Sequence, residues 1–119
     1  MNKYKKVLPK EPSFSQEGLK GYNFNLDIKD ISISLEEVFK GHDKYHTNVH
    51  STKIYYCLEG NGIFCIAGEK INIEKGEMIE IAPNTEFVFA GKMKLLLIMS
   101  PAFRMQDGID GKDNDLYTN

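Results

Sequence analysis

The chain has 119 residues, 15 basic against 17 acidic side chains, a net charge of −2 and an apolar fraction of 41%. That length gives one domain with one core, since a chain this size buries roughly two-thirds of its unfolded surface. The charge balance excludes the basic footprint of a nucleic-acid binder, and no run approaches the roughly 18 apolar residues of a membrane helix.

Lys3, Lys5, Lys6 and Lys10 give the start a basic character, but no apolar stretch follows as a signal peptide requires, so a cytoplasmic location is expected. Residues 1–21, with Pro9, Pro12, Gly18 and Gly21, predict an irregular arm containing an edge or swapped strand. From Tyr22 onward Phe24, Leu26 and Ile28 alternate with Asn25, Asp27 and Lys29, and Ile31, Ile33 and Leu35 alternate with Ser32 and Ser34. Period two predicts half-buried strands. Residues 36–39 fit a strand or a short helical turn. The stretch 40–52 is polar and carries all three histidines.

Residues 54–58 read as a strand, Glu59-Gly60-Asn61-Gly62 as a turn, and 63–66 as the returning strand. Gly68-Glu69 and Lys75-Gly76-Glu77 bound another strand. Residues 78–81 form the next, ended by Ala82-Pro83-Asn84, and 87–89 and 94–99 flank a turn at Gly91-Lys92. Short strands punctuated this regularly predict an all-β sandwich or barrel over 22–103. Asp107, Asp110, Asp113 and Asp115 lack the spacing of a calcium loop, so 104–119 reads as a polar tail. Cys57 and Cys65 flank the predicted turn. They are expected to be buried thiols, with a cross-strand disulfide as the alternative. The chain contains no nucleophile elbow, phosphate-binding glycine loop or His-Glu-x-x-His.

Lys53-Ile54-Tyr55-Tyr56-Cys57-Leu58-Glu59-Gly60 has the spacing and texture that closes the first cupin motif. Fifteen residues separate Gly60 from Gly76, which opens a stretch like the second, with Pro83 shifted by one. On these residues the chain resembles the cupins, double-stranded β-helix (jelly-roll) barrels. The resemblance implies a single small barrel and a homodimer. It places the family's four metal ligands at His46, Asn48, Lys53 and Phe87. A lysine repels a divalent ion and a phenylalanine has no lone pair, so the usual metal is not expected.

The expected site is instead a pocket for a small polar, sugar-like or anionic ligand, lined by His46, Asn48, Lys53, Tyr55, Cys57, Phe87 and Phe89. Two alternatives stand beside it. One is an isomerase, epimerase or lyase using His46, Lys53 and Tyr55 as acid–base groups. The other is a displaced Zn, Ni, Mn or Fe site on His46 and His50 with Glu80 or Glu86. His42, His46, Asn48 and His50 share strand parity, but the run is too long for all three histidines to meet without a bend. His42 and His50 are read as loop residues near the barrel mouth.

Overall fold

The computed structural model describes residues 2–117. Nine strands occur among them: β1 (Phe14–Ser15), β2 (Leu19–Asn23), β3 (Ser32–Val38), β4 (Lys44–Asn48), β5 (Thr52–Ile66), β6 (Glu69–Glu74), β7 (Met78–Ile81), β8 (Phe87–Ser100) and β9 (Gly108–Asp113). Among the described residues the helical content is one three-residue 3-10 turn, Met105–Asp107, and no helix there is long and apolar enough to cross a membrane.

The frame is the pair β5 and β8, antiparallel along their whole lengths from Thr52↔Ser100 to Ile66↔Phe87. The other strands hang on its two halves. β3 pairs with residues 93–99 of β8, and β2 and then β1 continue outward from it. β7 pairs with residues 53–56 of β5. At the other end, β6 pairs with residues 61–66 of β5, and β4 lies between β8 and β9.

Two turns expected from the sequence are therefore absent. Gly60 and Gly91 sit inside continuous strands, at φ 78° and 145°. A Cβ on Gly62 would lie 2.5 Å from the Ala90 carbonyl oxygen, and one on Gly91 would lie 2.6 Å from the Asn61 oxygen. Here glycine marks a bend where two backbones nearly touch, rather than a reversal of direction. A bulge between Cys57 and Glu59 adds one residue to β5 and reverses its parity. Lys53, Tyr55 and Cys57 face inward before it, and Phe64 faces inward after it. Cys65 thus turns to the opposite side, against Tyr45 and Val88. The two cysteines occupy one strand, on the order of 25 Å apart at strand rise. Both are free and buried, and the cross-strand disulfide is ruled out.

Two more expectations change. Residues 24–31 form the β2–β3 connection instead of a strand, closed by the Phe24 amide donating to the Ile33 carbonyl at 2.9 Å. In β3 the inner face is the opposite of the apolar one. Ser34, Glu36 and Val38 pair with Leu97, Leu95 and Met93, whose side chains point into the core, so they share that face. Ile33 and Leu35 go outside. The polar tail over 104–119 contains β9, which pairs with β4 and completes one wall.

The core is aromatic at the β4 end. Ring centroids lie 5.2 Å apart for Tyr55 and Phe64, 4.9 Å for Phe64 and Phe89, and 5.6 Å for Tyr55 and Phe89. Gly91→Val forces a β-branched side chain into the β5–β8 bend. Urea unfolding is expected to show a loss of about 2 kcal/mol or more.

Candidate functional site

The histidines are brought together by a kink in β4. Its pairing with β9 shifts register between Lys44 and His46, and Gly41, at φ 150°, bridges to Ala90. The bend puts the His42 and His46 rings 5.8 Å apart. His42 packs edge-on to Phe89 and His46 edge-on to Phe87, each at 6.1 Å.

Each imidazole is held by a hydrogen bond that fixes its tautomer. His42 Nδ1 donates to the Lys44 carbonyl at 2.8 Å, which leaves Nε2 an acceptor, 3.4 Å from the Gln16 amide nitrogen. His46 Nδ1 lies 3.3 Å from Asp110 Oδ1 on β9, which likewise frees its Nε2. The C-terminal segment braces this corner. Asn114 Nδ2 donates to the backbone carbonyls of His42 and Phe89, at 2.8 and 3.0 Å. Burial and the Lys53 cation push His46 down to about 4, and burial lowers His42 as well, so both rings are neutral at pH 7.

Lys53, 8% exposed, projects from β5 into the barrel with its Nζ 5.3 Å from the Phe87 ring centroid. Burial lowers its pKa, and Glu36 on β3 partly restores it. Glu36, 4% exposed, enters from β3; its Oε1 has no hydrogen-bond partner among the described residues. Burial raises its pKa to about 7 against the pull of Lys53. Tyr55, fully inside, has a phenol held well above its ordinary range by burial.

His46, Lys53, Tyr55 and the edges of Phe87 and Phe89 therefore converge. Asn48 and Cys57 do not offer their polar atoms to the interior. Asn48 Oδ1 accepts from the His50 and Ser51 amides at 2.9 and 2.6 Å and so holds the turn after β4. Cys57 Sγ donates to the Glu59 carbonyl at 3.3 Å, at the bulge. Phe87 and Phe89 are 3% and 0% exposed and act as packing.

The displaced metal set is not assembled. His50 is exposed, Glu80 lies on the opposite face of β7 from the buried Ile79 and Ile81, and Glu86 is exposed beside an outer cavity. No group of three His, Cys, Asp or Glu side chains suited to a metal occurs among the described residues. The family positions carry one imidazole, an amide whose oxygen is committed, a cation and a hydrocarbon ring, and these do not fit a divalent ion. Sequence reasoning missed Glu36, Gln16, Asp110 and Asn114 and set His42 aside. The signal for Glu36 was a carboxylate at strand parity with Ser34 and Val38, hidden by the stronger Ile-Leu alternation on the other face.

No family model matches the chain. It is 33% identical over 66 residues to an uncharacterized protein of Methanocaldococcus jannaschii; the match covers 52% of this chain and 53% of that protein, about half of each. Among solved structures, it is similar to Streptomyces Pac13, a nucleoside dehydratase, at 26% identity and TM-score 0.86 over 94% of this chain and 93% of that one. A Pac13 variant with uridine gives 25% identity and the same TM-score and coverage. KdgF from a Halomonas species shares the fold at 16% identity and TM-score 0.68, over 81% and 89% of the two chains. The cupin domain of Schizosaccharomyces pombe Cnp3 does so at 15% and 0.64, over 75% and 69%. The continuous β5–β8 frame, the motif spacing from Lys53 to Gly76 and these shared folds give the chain the fold of a small cupin-type barrel.

Proposed function

We propose that this cupin binds a small sugar-containing ligand of the nucleoside class at the mouth of its barrel and acts on it as a lyase that removes water, without a metal. The observation that carries the reading is the pair of neutral imidazoles beside a buried ammonium and a buried phenol, His42, His46, Lys53 and Tyr55. The likeness to Pac13 across more than nine-tenths of both chains supports the ligand class and the reaction.

Elimination needs a base at a carbon-bound proton, a positive group where negative charge gathers, and a proton for the departing hydroxyl. His42 suits the base, since its Nε2 carries the lone pair, whereas burial and Lys53 hold His46 down to about 4, where it is a weak base. The Lys53 ammonium suits the negative charge that develops on the departing hydroxyl oxygen as the C–O bond opens. As the C–H bond breaks, its electrons form the double bond, the C–O bond opens, and the leaving hydroxyl takes a proton from the imidazolium and departs as water.

Isothermal titration with uridine tests the binding. Uridine heats that saturate in the wild type and weaken about tenfold or more in Tyr55→Ala are expected; a flat wild-type titration removes the reading. For an enzyme turning over its substrate, His42→Ala is expected to lower kcat about 100-fold or more. The acid limb of the rate should fall below the ordinary histidine value of 6.5, because the lowered pKa keeps His42 a free base at mildly acidic pH. A limb centred at or above 6.5 counts against His42.

A homodimer fits a second observation. On the outer face, Ile33, Ile98 and Ile54 form one cross-strand row and Leu35, Leu96 and Tyr56 the next, with Met78, 58% exposed, beside Tyr56. All six row residues are half-buried in the single chain. Light scattering is expected to give twice the chain mass for the wild type and the single mass for Tyr56→Arg. A wild-type monomer at micromolar concentration overturns the dimer.

A further inference from the structure

The barrel interior holds two groups of opposite sign that no ion pair joins: among the described residues, Lys53 and Glu36 each lack a salt-bridge partner. Lys53 alone would make the pocket a receptor for anions. Glu36 reaches it from β3, on the other side of β8 in the same wall, 4% exposed and with Oε1 unpartnered. The two histidines add no positive charge, and Asp110 at the mouth adds a negative one. A phosphate or carboxylate entering the site meets one cation opposed by two carboxyl groups.

We propose that Glu36 sets the specificity of the site, offsetting Lys53 so that the pocket takes neutral hydroxylated ligands and rejects their phosphates. The proposal rests on the reading of the barrel as a nucleoside site and names its chemical class: the free nucleoside or sugar, not the nucleotide. The unpartnered Glu36 oxygen and the Lys53 ammonium then serve a neutral ligand as acceptor and donor, while each repels or is screened from a full charge by the other.

The test compares uridine, uridine 5′-monophosphate and sulfate at pH 8, where Glu36 is mostly ionised. The proteins are the wild type, Glu36→Gln and Glu36→Gln combined with Lys53→Met. Titration calorimetry of the wild type should favour uridine over its monophosphate by about tenfold or more. Glu36→Gln should narrow that ratio by about the same factor. Sulfate should raise the melting temperature of Glu36→Gln only, and the added Lys53→Met change should abolish the rise. An unchanged ratio and no sulfate response in a folded Glu36→Gln overturn the proposal.

If the wild type binds no uridine, the nucleoside reading falls, and the sulfate response of Glu36→Gln decides this inference alone. If Glu36→Gln does not fold, sulfate titrations of the wild type and Lys53→Met from pH 8 to 6 decide it. Sulfate keeps its charge across that window. The titratable groups facing Glu36 are Lys53, Tyr55 and Cys57 on β5, with His42, His46 and Asp110 beyond. Burial has moved His46 down to about 4, below this window, and the phenol and thiol above it, and it lowers His42 from its ordinary value as well. Sulfate affinity that rises as pH falls, and only with Lys53 present, supports the proposal; a flat profile overturns it.

Discussion

Everything in this barrel depends on two strands staying paired while they bend. β5 and β8 remain paired along their lengths, with one bulge between Cys57 and Glu59, so each belongs to both walls of the barrel. A continuous ladder satisfies every backbone group along the bend, where a break would leave buried N–H and C=O groups unpartnered at about 1–3 kcal/mol each. The bend requires close approach, which admits only glycine at Gly62 and Gly91. The bulge after Cys57 then corrects the parity so that inward side chains stay inward on both walls. Lys53 and Phe87, on different strands and different walls, come within 5.3 Å of each other because of this geometry.

The interior is divided between packing and chemistry. Toward one side, Tyr55, Phe64, Phe87 and Phe89 form a ring cluster that excludes water. Around it stand Glu36, Lys53, His42 and His46, each carrying a polar atom into a region of low dielectric. Burial acts on all four in the same sense, against the charged form. A carboxyl that titrates near neutrality and imidazoles that stay neutral result from one cause, desolvation, with only secondary corrections from neighbours. Stability cannot be the reason for such an arrangement, since apolar side chains would fill the same volume at less cost.

The fold class was legible because period two, frequent glycines and the Lys53–Gly60 texture all point the same way. Its details were not. A glycine that reverses the chain and a glycine that lets two strands touch look alike in one sequence, so Gly60 and Gly91 were read as turns. A bulge leaves no local mark, so Cys57 and Cys65 were placed across a hairpin. In β3 the more apolar face was taken as the inner one. The register against β8 decided otherwise, because the outer row of Ile33, Leu35, Leu96 and Ile98 is itself apolar. Lys53 and His46 were found because a family motif marks their positions. Glu36, Gln16 and Asp110 lie outside that motif and are joined to the site only by the closed barrel.

The bracing of His42 and His46 by β9 and Asn114 bears on when the site comes into being. The His46–Asp110 contact closes 64 residues of chain, and the Asn114–His42 bond closes 72. Contacts of such sequence separation carry the largest loop-closure entropy and form late. β5 to β8 can pair without residue 114, but the two imidazoles have no brace until the C-terminal segment docks. The barrel therefore acquires its shape before the His42–His46 pair is fixed in place.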